Sequence, residues 1–289
     1  MILVTGATGT TGSEVVRRLL ERGEKVRAMS RRGVAVPGAD AVRADFADPA
    51  SLAPAVAGVS AVYLVTAPPE PVVDHDAALV EAARAAGVER IVKLGAISGG
   101  EPGTWHRRCE QPTRDSGLTW TVLRPATFAS NMLPYAPMIA GGLPLPDWTS
   151  GGAVGIVDPR DVAAVAVEAL TTGGHAGRAY TLTGPELLTF AQQVAVLQRV
   201  LGTGIGTRDA TMDDARTMML DRGMRPDSVE ESVAGMTRLA EGGYAVLTGD
   251  VSAVLGRAPG TFAAWAADHR QAFGGAGGTR GAPSAADTP

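Results

Sequence analysis

Cysteine is almost absent: Cys109 is the only one in 289 residues. A lone thiol forms no internal disulfide, which points to a reducing, cytoplasmic setting. Lysine is nearly as scarce. Only Lys25 and Lys93 occur, so arginine carries almost all of the 26 basic charges, as in chains from high-GC genomes. A positive balance is lacking too: 26 Lys+Arg face 30 Asp+Glu, which leaves no basic footprint for nucleic acid. No apolar run reaches the roughly 18 residues that span a bilayer. The N-terminus reads as a strand rather than as a charged stretch followed by an apolar leader. These gaps argue against a disulfide scaffold, a nucleic-acid binder and a protein with membrane-spanning helices.

What is present alternates. Short apolar runs (Ile2 to Val4, Val26 to Met29, Ala41 to Ala44, Ala61 to Val65, Arg90 to Leu94, Trp120 to Leu123) are separated by helical patterns. Ser13 to Leu20 places Val15, Val16, Leu19 and Leu20 on one face and stops at Gly23. Asp48 to Val56, Asp74 to Ala86 and Thr104 to Ser116 also read as helices, and Phe128 to Ile139 as a helical stretch. Such alternation predicts an α/β fold with a Rossmann-type, doubly wound parallel sheet. Beyond residue 150 the helical patterns Asp161 to Leu170, Phe190 to Leu201, Met212 to Arg222, Val229 to Ala240 and Thr261 to Phe273 dominate, with one short strand, Ala179 to Leu182. The expected organisation is a dinucleotide-binding domain over 1–150 and a smaller, mostly helical C-terminal substrate lobe over 151–273, interleaved with it. The Gly/Pro/Ser/Ala-rich tail over 274–289 is expected to be disordered.

Gly6-Ala7-Thr8-Gly9-Thr10-Thr11-Gly12 lies between the first strand and the first helix. A pyrophosphate must approach backbone N–H groups at a helix N-terminus, where the dipole favours anions. Side chains at Gly6 or Gly9 would obstruct the turn or that approach, and Gly12 allows close packing of helix on sheet. The second strand runs into Ser30-Arg31-Arg32, with no acidic residue before Asp40. An acidic residue there would bind a ribose 2′-hydroxyl, whereas arginine accepts a 2′-phosphate. The reading is NADP(H) in preference to NAD(H).

The G-x-x-G-x-x-G spacing resembles the short-chain dehydrogenases in their extended or atypical branches. By that resemblance Asp45 meets the adenine edge, Phe46 packs on the ring, and Thr66, Ala67 and Pro68 line the adenosine and pyrophosphate side. One part of the usual machinery is missing. Four residues after Tyr63, Tyr135, Tyr180 and Tyr244 stand Ala67, Ile139, Gly184 and Thr248, so the Tyr/Lys pair that supplies the proton in that superfamily is absent. Asp45-Phe46-Ala47-Asp48-Pro49, His106 to Gln111, Ser116 to Pro125, Phe128 to Met132, Val157 to Ala163 and Tyr180 to Glu186 together resemble the NmrA-like atypical short-chain dehydrogenases, the quinone-oxidoreductase type in particular.

That resemblance implies NADP(H) binding and hydride transfer to a quinone, enone or related conjugated carbonyl. The family also contains sensors that bind the dinucleotide without turning it over, and a non-redox enzyme on the same scaffold is a further alternative. His106 is expected to donate a proton or a hydrogen bond, because histidine titrates near neutrality. Ala96 and Ser98 follow the fifth strand, where strand ends form the ligand crevice, and Ser98 is a candidate hydroxyl donor. Phe128, Asn131, Met132, Tyr135 and Trp148 are expected to wall an apolar pocket for a flat small-molecule substrate. Lys93, inside a buried-looking strand, is expected to point out at the sheet edge. Cys109 is expected to be a packed thiol, and the four histidines show no metal-ligand spacing. The oligomeric state is not legible.

Overall fold

The computed structural model describes residues 1–66 and 72–274. The expected contacts of Ala67 and Pro68, and the tail after residue 274, lie outside the described residues. In chain order the first half comprises β1 (Ile2–Val4), α1 (Gly12–Glu21), β2 (Val26–Ser30), β3 (Asp40–Arg43), α2 (Leu52–Val56), β4 (Ala61–Leu64), α3 (Val72–Ala85), β5 (Arg90–Leu94), α4 (Trp105–Arg114) and β6 (Thr119–Pro125). Then come β7 (Thr127–Phe128), α5 (Ala136–Ala140), β8 (Leu145–Asp147), β9 (Ala153–Val157), α6 (Pro159–Thr171), β10 (Arg178–Leu182), β11 (Leu187–Thr189) and α7 (Phe190–Leu201). The chain continues through β12 (Thr207–Asp209), α8 (Met212–Asp221), α9 (Pro226–Ala240), α10 (Asp250–Leu255) and α11 (Phe262–Asp268).

The main sheet is parallel and seven-stranded, in the order β10-β6-β5-β4-β1-β2-β3. The expected doubly wound α/β fold is therefore observed. Strands β1 and β4 at its centre are buried at every position because helices cover both faces. The strand order reverses between β1 and β4, which both carry the chain toward the same sheet edge. Ligands of such sheets bind at that switch point, outside the strands' carboxyl ends.

The first helix buries Val15, Val16 and Leu19 and turns its Glu14–Arg18 pair outward, N···O 2.8 Å apart. α6 buries nearly its whole circumference, as a helix apolar all round should. It packs with α1 on one sheet face, while α2 and α3 cover the other. Two elements from beyond residue 150, α6 and β10, are thus built into the main layers.

While α10 packs on α6 in the first core, elements β8, β9, β11, α5, α7 and α11 form a second core around Leu145, Ile156, Phe190, Leu197, Phe262 and Trp265. It holds more strand than the helical patterns imply: β11-β9-β7 and β12-β8 form two small sheets. These strands span two to five residues, too short for a period-two pattern to stand out. The expected helix over Phe128 to Ile139 is a correction. The stretch is β7, then a 3₁₀ helix Ala129–Tyr135, then α5. Pro134 and Pro137 remove two backbone donors there and prevent a continuous α-helix.

The glycine turn sets the tightest steric limit on α1. A Cβ on Gly12 would lie 2.1 Å from the Gly6 carbonyl oxygen and 2.7 Å from its carbon, whereas one on Gly9 would stand 3.2 Å from that oxygen. Gly6 itself has φ +58. Gly12→Ala is expected to cost about 1–3 kcal/mol and lower Tm by about 3–10 °C. Gly9→Ala is expected to melt within about 2 °C of the parent. Thermal denaturation followed by circular dichroism checks the pair, and equal Tm values for Gly12→Ala and the parent would contradict the packing.

Candidate active site

A cleft of about 780 Å³ runs across the carboxyl ends of the main strands. At one end lies the glycine turn. Thr8, Gly9, Thr10, Thr11 and Gly12 line it, and the N–H groups of Thr8, Thr10, Thr11 and Gly12 donate no hydrogen bond to the described residues. Thr11 occupies the position of a helix cap without capping α1. Its hydroxyl instead accepts a 3.1 Å hydrogen bond from Tyr63, which is wholly buried. The start of α1 is therefore left open, an arrangement that suits an anion such as a pyrophosphate.

Beyond β2 the cleft is bordered by Arg31 but not by Arg32. Both arginines lie in the turn after β2, which the Gly33 N–H closes onto the Ser30 carbonyl at 3.2 Å with Gly33 at φ +61. Of the expected pair, the structure brings only Arg31 to the cleft. Asp45 and Phe46 line the same end. One Asp45 oxygen accepts from the Ala47 N–H at 3.0 Å, so the carboxylate also braces its own loop. Phe46 stacks on His75, with centroids 5.7 Å apart and planes 16° from parallel. His75 lines the cleft and was not legible as a site residue.

Midway, Thr66 meets two buried charged groups. Lys93 Nζ lies 2.9 Å from Asp76 Oδ2 on α3 and donates to Thr66 Oγ1 at 2.9 Å. Thr66 donates in turn to Asp76 Oδ1 at 2.7 Å. The expectation that Lys93 points out at an edge is corrected: β5 is an inner strand, and the side chain is 2% exposed and borders the cleft. Burial pushes the Asp76 carboxyl up, against the pull of Lys93 and Thr66. Cys109 is also buried beside the cleft, and burial raises its thiol to about 12, which makes it a poor nucleophile.

At the far end stand Ala96, Trp105, His106, Phe128, Ser130 and Asn131. His106 Nδ1 lies 2.6 Å from Ser98 Oγ, and its ring packs against Trp105 at 3.6 Å between centroids. Burial and the nearby Lys93 charge lower its pKa from 6.5 to about 4. The expected titration near neutrality is corrected: the ring is neutral at pH 7. Ser98 is buried and does not border the cleft, so it reaches a ligand only through His106.

Three expected wall residues lie elsewhere. Met132 is buried in the second core, and Tyr135 packs edge-on against Phe190 at 5.7 Å. A 3₁₀ helix repeats every three residues, so Ala129, Met132 and Tyr135 share one inward face while Ser130 and Asn131 meet the cleft. Trp148 follows β8, which pairs with β12, and it does not line the cleft. Among the described residues no cluster of three or more His, Cys, Asp or Glu side chains suits a metal, and no helix is long and apolar enough to cross a membrane.

Comparison with known proteins agrees with this geometry. A family model described as NAD(P)H-binding matches residues 6–173. A (4-alkanoyl-5-oxo-2,5-dihydrofuran-3-yl)methyl phosphate reductase of Streptomyces griseus is 41% identical over 94% of this chain and 99% of its own. An NAD(P)H azoreductase of Xenophilus azovorans is 37% identical over 96% of this chain and 100% of its own. The crystal structure of an Escherichia coli NADPH-dependent quinone oxidoreductase complexed with NADPH superposes with a TM-score of 0.80 at 24% identity, covering 93% of this chain and 99% of that one. The resemblance read from the motifs is borne out. The chain belongs to the NAD(P)H-binding family and is an NAD(P)H-dependent oxidoreductase.

Proposed function

We propose that this chain uses NADPH to reduce a conjugated carbonyl compound, an enone or a quinone. The observation that carries the reading is the continuity of one cleft. It joins an uncapped helix N-terminus at the glycine turn to a neutral histidine and the Phe128 ring at the far end. The S. griseus relative's name describes a 5-oxo-2,5-dihydrofuran, a conjugated ring carbonyl, which supports the substrate class.

The glycine turn's open N–H groups would hold the pyrophosphate, and Arg31 the 2′-phosphate. Bound there, the cofactor supplies the hydride. Trp105 and Phe128 give the far end its apolar, flat-sided character. Ser98 occupies Nδ1 of His106, which leaves Nε2 as the ring edge for the cleft. A neutral imidazole with its proton on Nε2 donates a hydrogen bond to a carbonyl oxygen as negative charge grows there. It does not surrender that proton at pH 7, so water protonates the resulting enolate or hydroquinone oxygen. This chemistry dispenses with the missing Tyr/Lys acid.

Arg31→Ala is expected to weaken NADPH binding by about tenfold to a hundredfold, the loss of one charge-assisted contact of about 1.5–3 kcal/mol, while NADH affinity stays unchanged. Titration calorimetry with both cofactors checks this, and parallel losses would remove the 2′-phosphate role.

NADPH oxidation is expected with cyclic enones and quinones and not with isolated ketones. His106→Phe is expected to lower turnover by about 10²-fold or more, and the parent rate should show no histidine titration between pH 6 and 8. NADPH binding without oxidation across that panel would overturn the reading. A rate that falls through pH 6.5 only when His106 is present would overturn its neutral role.

The same shift predicts acid sensitivity. With a folded pKa near 4 against 6.5, the unfolded chain binds more protons between those values, so His106 lowers stability as pH falls through that window. The drop in Tm from pH 7 to pH 5 is expected to be smaller in His106→Gln than in the parent.

A further inference from the structure

The two lysines of this chain have different fates: Lys25 precedes β2 on the surface, and Lys93 is buried. Placing an ion pair in the interior costs several kcal/mol per ion, and apolar residues of like size are often as stable there. The Lys93–Asp76 pair therefore has no sufficient explanation in stability. It is also placed unlike a core pair. Lys93 and its partner Thr66 both border the cleft, and Lys93 sits one residue before the carboxyl end of β5, in register with Leu64 at the end of β4 and with Val122 on β6.

This position lies between two ends already described. On one side is the glycine turn after β1, which suits a pyrophosphate. On the other are His106 and Phe128, which suit the reacting ring and substrate. An extended dinucleotide that spans those ends has one group between them, the ribose that joins the pyrophosphate to the nicotinamide. Its vicinal hydroxyls each offer lone pairs. An ammonium has three N–H donors; one goes to Thr66 Oγ1, and the Asp76 carboxylate stands 2.9 Å away as an ion-pair partner whose Oδ2 has no hydrogen bond among the described residues. Those two partners hold the ammonium at the cleft wall with donor capacity to spare, and the pair's low solvent exposure strengthens any hydrogen bond it makes.

We propose that Lys93, aimed by Asp76 and Thr66, binds the diol of the nicotinamide-side ribose and so positions the nicotinamide ring beside His106. The inference rests on NADPH occupying this cleft. Asp76 and Thr66 are positioning residues in this scheme, because they act through the ammonium. Lys93 is a binding residue, supplied by a strand of the main sheet in a chain that lacks the Tyr/Lys pair.

The test compares two ligands on the full chain by titration calorimetry. NADPH carries the nicotinamide-side ribose, and adenosine 2′,5′-bisphosphate lacks it. Lys93→Met alone leaves Asp76 without its counter-charge, so the double variant Lys93→Met with Asp76→Leu is measured beside it, with melting curves for both. NADPH is expected to bind about tenfold or more weakly to the folded variants, with bisphosphate affinity within about twofold of the parent. An unchanged NADPH affinity, or an equal loss for both ligands, would overturn the proposal. A measurement on the parent protein stands independently of variant folding. An NADPH analogue without both hydroxyls on the nicotinamide-side ribose is expected to bind the parent about tenfold or more weakly than NADPH, and equal binding would overturn the assignment. Failure of the parent to bind NADPH at all would instead sink the cofactor reading on which the inference rests.

Discussion

The close approach of α1 to the turn that precedes it is the constraint on which the site depends. With hydrogen in place of a side chain at Gly12, the first helical turn settles onto the Gly6 carbonyl, where a Cβ would lie 2.1 Å away. That contact aligns the helix start with the end of β1 and beside the end of β4. Tyr63, reaching from β4, then claims the Thr11 hydroxyl. The helix consequently begins with unsatisfied donors at the point where the sheet order reverses. A capped α1 would be a better isolated helix and a poorer anion site.

A second constraint holds the far end of the cleft. Glu110, fully buried on α4, accepts from Arg124 at 2.7 and 2.6 Å and from Arg114 at 3.0 Å. This node ties α4 to β6. Gly99 passes so close that a Cβ would fall 2.2 Å from Glu110 Oε1, which locks the short turn carrying Ser98 onto the same helix. The 2.6 Å contact between Ser98 and His106 is therefore set by a buried carboxylate that does not itself border the cleft. The two buried charge networks differ in placement. Glu110 joins elements to one another away from the cleft, whereas Lys93, paired with the buried Asp76, borders it.

Desolvation runs through both halves of the site. It lowers the His106 pKa, raises that of Cys109 and raises that of Asp76. In each case burial disfavours the charged form. Histidine and cysteine thus enter the cleft as neutral groups, a hydrogen-bonding ring and an inert thiol. That environment suits hydride transfer to an electrophilic carbon better than it suits nucleophilic or acid catalysis.

Much of the fold was legible because its signals are local. An amphipathic helix such as α1, an apolar strand such as β5 and a glycine turn between them each express a period or a steric need within a few residues. Arg31, Asp45, Phe46 and Phe128 could be placed because they follow strands, and in this sheet strand ends share one side. The rest required tertiary structure. Met132 and Tyr135 looked like wall residues until the 3₁₀ period turned them inward. Ser98 looked like a donor to substrate until burial placed it behind His106. His75 and Lys93 border the cleft, and Asp76 is set behind Lys93, only because the start of α3 meets Thr66 and Lys93 after β4 and on β5, and a charged residue within an apolar strand names no partner by itself. The sequence alone determined the strands of the main sheet, the longer helices and the place of the glycine turn, since those follow from short-range geometry. Which side chains meet, and which proton each holds, was decided by packing, because burial and charge pairing arise between residues far apart in the chain.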